Sequence, residues 1–565
     1  MPFINTLTRR DFIQRSLLGG AGLGLAALTN VPPFAARALA EGTIGLGGKK
    51  LLFVFLRGGN DGLGSLVPVQ DSAYSSSIRS STLIAKDGAT DYSATPGTAD
   101  FPTSPGATAT FNYTSAIRLG NGFAALHPGL KFLAPVYNAG DLALIHRVGY
   151  PKQSRSHFDS QNYWENGLPN NNVSKEGILY RTIIESGLAS TSPLSAVSIQ
   201  SALPVLLRGS AAALTNLTDP LRYDLLGVPN SASTGDVKAT NALLSAQSAP
   251  FPDKKSRAFL SLQYDGLLKT LSIFSSINFT ETGNTYVDDV NTDGGSVPYN
   301  LFPTSQAKNG GFAVNGTGKY VVDQSSSANS FFAGLKAASL ILNHTDAVIA
   351  GTEMGGFDTH DNQGGASGAH ANLQQRIGWA LYGLQKYFKI YGRLGSAPAA
   401  GAKCAWSDVV VVLLTEFGRT TIQNTSGGTD HAEAGVMFLA GGGVKGVGKS
   451  GRVTGVVGCH PGGTGVHPSD TLALWISGPA NQAGGVDGSM FGISDRYLKR
   501  SVDYRSVLGK VIRDHLGATQ NQLNRIIPGY ANEAQEHLLT GGTVTTPIES
   551  SGVSTPIIGE PDILV

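Results

Sequence analysis

The feature that most constrains this chain is a short, unbroken apolar run that recurs beside glycine-rich polar loops. "KLLFVFLR" (Lys50–Arg57) ends in "GGNDG"; "DLALIHRVGY" (Asp141–Tyr150), "TDAVIAGTEMGG" (Thr345–Gly356), "SDVVVVLLTEFGR" (Ser407–Arg419) and "GVMFLAGGG" (Gly435–Gly443) repeat the pattern. Runs of this length bounded by glycine read as strands buried on both faces, which is the habit of parallel sheets. Between them lie segments with apolar residues at helical spacing: Phe123–Gly140, Asp253–Ile277, Asn329–His344 and Asn372–Gly392, with Asp503–Gly517 near the end. Strands alternating with helices predict an α/β layered fold, a mostly parallel central sheet flanked by helices.

Three regions break the pattern and read as long loop insertions or tail. Residues 80–114 and 278–327 are rich in Ser, Thr, Gly and Pro, and 541–565 mixes prolines with hydroxyl residues and reads as a flexible tail. Gly at 73 of 565 residues and a charged fraction of 15% fit a loop-rich globular protein. The N-terminus carries Arg9 and Arg10, then a modest apolar run from Leu17 to Leu28 and small residues at Ala38 and Ala40. This reads as a twin-arginine export signal over 1–40, and the run is well short of the ~20 residues that span a bilayer. The expectation is an exported, periplasmic or secreted protein that uses the twin-arginine machinery and keeps no membrane insertion afterwards. A single domain over 41–540 follows. The net charge of +2 gives no case for a nucleic-acid partner. Cys404 and Cys459 are open to pairing or to lying free in the core.

In an open parallel sheet, ligands gather beyond the carboxyl ends of the strands. The polar clusters fall at such ends: "RGGNDG" with Asp61, "SRSHFDSQNYWE" with His157, "GGFDTHDNQ" with Asp358 and His360, and "TEFGRT" with Glu416 and Arg419. "GGTDHAEAG", with Asp430 and His431, leads into the last strand. Carboxylates and imidazoles together form the oxygen and nitrogen set that suits zinc, manganese or similar divalent ions. Ser156 beside Arg155 supplies a hydroxyl and a guanidinium of the kind phosphoryl or sulfuryl transfer uses; the alternative is a capping serine. His460 and His467 are further histidines, each before a proline. Glu416 is open as a ligand or as a partner for Arg419. No nucleophile elbow stands in a convincing context. "GVKGVGKS" (Gly443–Ser450) matches a phosphate loop in letters, but a turn-and-strand pattern follows it where a helix is required.

The quoted stretches, from "RRDF" through "LLFVFLRGGNDGL", "SRSHFDSQNYWE", "GGFDTHDNQ" and "GGTDHAEAGVMFLAGGGVKG", resemble a family of twin-arginine-exported bacterial proteins, domain-of-unknown-function family 1501. That family is grouped with the alkaline phosphatase and sulfatase superfamily. The resemblance implies an alkaline-phosphatase-like fold and one or two divalent metal ions. It implies Asp61 as a metal ligand at the first strand end and Ser156 as nucleophile, with Ser154 in reserve. Asp358 with His360, completed by His460 or His467, would bind one metal, and Asp430 with His431 would join Asp61 at another. Two departures stand out: Asp430 comes fourteen residues after Glu416 instead of at the strand end, and Asp358 and His360 are closer together than is usual.

The leading expectation is a metal-dependent hydrolase of phosphate or sulfate esters. Ser156, Arg155 and His157 would act on a small-molecule or glycan ester beside metal held by Asp61, Asp358, His360, Glu416, Asp430, His431 and His460. The alternative is a non-catalytic envelope protein of the same fold that binds a glycan or protein partner.

Overall fold

A computed structural model of the chain describes residues 41–42, 44–69, 74–85, 115–119, 124–190, 194–212, 214–220, 270, 273–274, 276–279, 286–287, 299–304, 313–314, 320–321, 325–452, 454–457, 497–498, 500, 502–530, 543–545 and 556–565. The expected export signal over 1–40, most of both expected insertions, the Asp253–Ile277 segment for all but a few residues, Cys459, His460 and His467 lie outside the described residues.

The apolar runs become the strands of one sheet. In chain order they are β1 (Lys50–Leu56), β2 (Leu142–Gly149), β3 (Ala196–Ile199), β4 (Thr215–Leu217), β5 (Ile349–Met354), β6 (Val409–Thr415), β7 (Gly435–Gly441), β8 (Val456–Val457), β9 (Val502–Asp503), β10 (Thr543–Thr545) and β11 (Pro556–Ile558). The spatial order is β10-β11-β9-β2-β7-β6-β1-β5-β3-β4, with β8 beside β2. Pairing is parallel throughout except that β7 runs against β6 and β2, and β10 against β11. The sheet is thus mixed and mostly parallel, as the uniform apolar runs imply.

Strand β1 shows why those runs lack alternation. Leu52, Val54 and Leu56 pack into one core and Leu51, Phe53 and Phe55 into the other, so each residue is buried whichever way it points. The first core is covered by α3 (Ser326–His344) and α4 (Ala369–Ile390). The second is covered by α1 (His157–Asn166), α2 (Ile178–Glu185), α5 (Tyr504–Lys510) and α6 (Gln520–Ile526). Helix α3 is capped by Ser325, whose hydroxyl accepts from the Ala328 amide, and α5 by Asp503, which accepts from the Arg505 amide.

Two expectations change. Phe123–Gly140 is not one helix: Ala125–Leu126 pairs as a strand in a small separate sheet, Pro128 opens a short 3-10 turn, and helix resumes only at Leu133–Asn138. Proline lacks the amide that a continuous helix needs there. The end of the chain is also not a free tail. Ile563 is fully buried, Lys445 pairs with Asp562 at 2.6 Å, and Arg513 pairs with Glu560 at 2.6 Å. Among the described residues no helix is long and apolar enough to cross a membrane.

Candidate metal centre

Because β7 is antiparallel to β6, the loop entering β7 lies at the same sheet edge as the loops leaving β1, β5 and β6. Strand β2 also delivers its carboxyl end there, and a register shift opposite Gly435 and Val436 puts Arg147 at φ 57° in a bulge at that end. Beyond β6 and β7 the two chains stay paired. Thr420 donates to the Asp430 carbonyl at 3.0 Å, Ala432 to Gly418 at 3.0 Å, and Gly418 to Glu433 at 2.8 Å. The fourteen-residue excursion after Glu416 therefore folds back and delivers His431 beside Arg419, which it faces in a bridge.

The loops can stack this closely because glycine stands where they touch. A Cβ on Gly58, at φ +115°, would come within 2.3 Å of the Asp358 nitrogen, and one on Gly428 within 2.3 Å of the His360 carbonyl carbon. Arg419, only 2% exposed, ties the loops together. Its guanidinium donates to the carbonyls of Gly58, Gly59 at 2.8 Å, Thr429 at 2.8 Å and Phe357 at 3.0 Å, and to Asp358 Oδ1 at 2.6 Å. Its ionic partner is thus Asp358 and not Glu416.

Around Asp358 three imidazoles converge. Asp358 Oδ1 lies 3.1 Å from His360 Nε2 and 3.1 Å from His431 Nε2, and those two nitrogens are 2.8 Å apart. Asp358 Oδ2 lies 3.4 Å from His157 Nε2. Ligand atoms of His157, Asp358 and His431 all fall within 4.8 Å of one another. Each ring has its other nitrogen occupied by an acceptor: His157 Nδ1 by Glu416 Oε1 at 2.8 Å, His360 Nδ1 by Asp430 Oδ1 at 3.0 Å, and His431 Nδ1 by the Arg155 carbonyl at 2.8 Å. An acceptor at Nδ1 fixes the proton there and leaves the Nε2 lone pair free as a ligand.

Three carboxylates, Asp358, Asp430 and Glu416, face one guanidinium, an excess of two negative charges when the imidazoles are neutral. Glu416 is fully buried; its Oε1 accepts from Gly58 at 2.7 Å as well as from His157, while Oε2 has no hydrogen-bond partner among the described residues. Burial works to raise the Asp358 carboxyl, but the Arg419 guanidinium hydrogen-bonded to it outweighs that and holds it at about 2. The Glu416 hydrogen bond raises His157, and burial lowers His431.

The sequence-derived candidates divide. Asp358, His360, Asp430, His431, His157 and Glu416 come together, with Asp430 and Glu416 behind the imidazoles instead of among the converging Nε2 atoms. Asp61 does not join them. Its oxygens receive Arg79 at 2.7 and 3.1 Å and Gln363 at 2.7 Å, all buried, and this pairing holds its pKa well below the usual range against the opposing effect of burial. Gln363 also accepts from Thr359 at 3.0 Å and Thr429 at 2.6 Å, the residues preceding His360 and Asp430. Asp61 thus braces both site loops from behind, a role for which Arg79 and Gln363 carried no sequence signal.

Ser156 is the N-cap of α1: its Oγ accepts weakly from the Asp159 amide at 3.5 Å. Ser154 Oγ accepts from the Ser156 amide at 3.2 Å. The Arg155 side chain lies over the Tyr497 ring at 4.2 Å. His370 is buried against Asn60 and Gln374. In "GVKGVGKS" the Lys449 ammonium points inward to Asp141 at 2.7 Å and to the Gly442 and Val444 carbonyls, and a three-residue 3-10 turn follows in place of a helix, so no phosphate loop forms. Cys404 is buried against Leu342 and Asn343.

No curated protein and no solved structure matches the chain. Residues 320–474 match the family model described as "Protein of unknown function (DUF1501)", a span that contains Asp358, His360, Glu416, Arg419, Asp430 and His431 and supports the resemblance to that family.

Proposed function

We propose that the chain is an exported metal-dependent hydrolase of phosphate or sulfate esters, built around a single divalent ion. The observation that carries this is the mutual approach of Asp358 Oδ1, His360 Nε2 and His431 Nε2, at 2.8 to 3.1 Å. Two imidazole lone pairs repel at such a distance unless a cation or proton lies between them. Adjacent ligands of a six-coordinate ion with bonds of 2.0–2.1 Å sit about 3.0 Å apart, so the spacing suits a bound metal. The excess of negative charge and the acceptor behind each ring favour the same occupant. Asp358, His360 and His431 would hold the ion, with His157 beside them. When bound, it would supply Lewis-acid polarisation of the ester oxygens.

The chain's own groups then divide the work. Helix α1 has its amino end at the site, where its free amides and partial positive charge favour an anionic ester. Ser156 Oγ, releasing its hydroxyl proton to solvent, would form the new bond to phosphorus or sulfur as the bond to the alcohol breaks. The departing alcohol takes a proton from solvent, and water then cleaves the serine ester, returning the hydroxyl and releasing phosphate or sulfate. Arg155 would neutralise the non-bridging oxygens.

The test is hydrolysis of aryl phosphate and aryl sulfate by metal-loaded protein. Ser156→Ala is expected to lose at least a hundredfold in kcat while retaining metal. No turnover by the wild type on either ester, or full turnover by Ser156→Ala, would overturn the reading.

A further inference from the structure

Beyond the carboxyl ends of β3 and β5, between the first turns of α3 and α4, lies a cleft of about 720 Å³. Its size falls within the range of about 300–1,000 Å³ common to small-molecule sites. It abuts the metal centre along the chain, since its wall includes Glu353, Met354, Gly355 and Gly356, and Asp358 follows two residues later. We infer that this cleft binds a neutral, hydroxyl-rich glycosyl group, the alcohol portion of the ester that the neighbouring site would cleave. The cleavage half of that statement rests on the hydrolase reading above.

The lining is chemically suited to sugar hydroxyls, which both donate and accept. Gln200, Ser330 and Asn372 offer carboxamide and hydroxyl groups of the same dual kind. Among the described residues its two charged members, Glu353 and Arg376, cancel, which argues against a strongly ionic ligand. Both are also held in place: Glu353 receives Arg57 Nε at 2.9 Å, and Arg376 donates to the hydroxyls of Ser325 at 3.1 Å and Ser327 at 3.3 Å. Planar groups fixed in this way can meet paired hydroxyls with little ordering cost. Phe331 in the wall offers apolar surface for the C–H face of a ring.

Gly355 makes the inference testable. A Cβ there would meet nothing within 4 Å, and its backbone is not in the left-handed region, so a larger side chain is accommodated without strain and would extend into open space.

The experiment screens full-length wild type and Gly355→Leu, both metal-loaded, on an array of immobilised neutral oligosaccharides. Bound hits are then titrated by saturation-transfer NMR. The wild type is expected to retain at least one neutral oligosaccharide. Gly355→Leu is expected to bind it at least tenfold more weakly, with unchanged metal content and melting temperature. No retention by the wild type, or equal retention by Gly355→Leu, overturns the assignment. Because binding is read without turnover, a protein that retains the oligosaccharide but hydrolyses no ester would refute the hydrolase reading and leave the glycosyl site standing.

Discussion

His360 and His431 face each other through their Nε2 atoms at 2.8 Å, each with Nδ1 engaged by an acceptor, Asp430 for one and the Arg155 carbonyl for the other. The paired lone pairs and the carboxylate 3.1 Å from both are the most specific feature of the site.

Asp430 acts on the centre through His360. Asp430→Asn keeps a carbonyl oxygen for Nδ1 but loses the charge that makes the ring a stronger ligand. Mutation of such supporting groups typically weakens metal affinity by about 10–100-fold. A competition titration with a chromogenic chelator should place Asp430→Asn in that window. Unchanged affinity would mean that the hydrogen bond does not tune the ring.

Arg419 is a structural clamp that also reaches Asp358, one of the proposed ligands. Four backbone carbonyls and Asp358 depend on one planar fork, which a lysine cannot reproduce. Arg419→Lys should cost about 2–4 kcal/mol in urea unfolding, since several buried acceptors lose their donor. A loss below about 0.5 kcal/mol would show that the loops hold together without it.

Asp61 separates bracing from ligation. Asp61→Asn leaves the fully buried Arg79 without its counter-charge, a change of the kind that costs about 3–5 kcal/mol. Chemical unfolding should show that loss, while folded protein still binds metal. Metal loss at wild-type stability would instead make Asp61 a ligand.

Acid should destabilise the metal-free protein well above the carboxylate range. Burial depresses His127 and His146 to about 3, and His370 and His515 to about 4. The unfolded chain protonates these rings near pH 6.5, while the folded chain resists until pH 3–4. Between those limits the unfolded state binds more protons, so stability is present above about pH 6.5 and falls as pH drops, by up to about 1.4 kcal/mol per pH unit for each ring. Urea midpoints measured in chelator from pH 7 to pH 5 should decline steadily. A flat profile would mean that the rings are hydrated.

Much of this arrangement was legible in residues 50–57, 141–150, 345–356, 407–419 and 435–443, because burial on both faces writes itself as uninterrupted apolar sequence. The direction of β7 was not, since an antiparallel strand buried on both faces looks the same. The site loops were visible as glycine-rich clusters of Asp and His, and their gathering at one edge followed from the sheet. What each residue does there was hidden. Nothing in "RGGNDG" shows that Arg79 will take the Asp61 carboxylate, and nothing in "GGTDHAEAG" shows that Asp430 will serve His360, seventy residues away, instead of joining its neighbour His431. Those choices are made by long-range packing.

The most direct measurement is the divalent metal content of purified full-length protein, by mass spectrometry after dialysis, for wild type, His360→Ala and His431→Ala. The expected result is one ion per chain in the wild type and almost none in either variant, with far-ultraviolet circular dichroism unchanged. A wild type that retains and takes up no metal, or variants that hold it as well as the wild type, would contradict a metal centre at Asp358, His360 and His431.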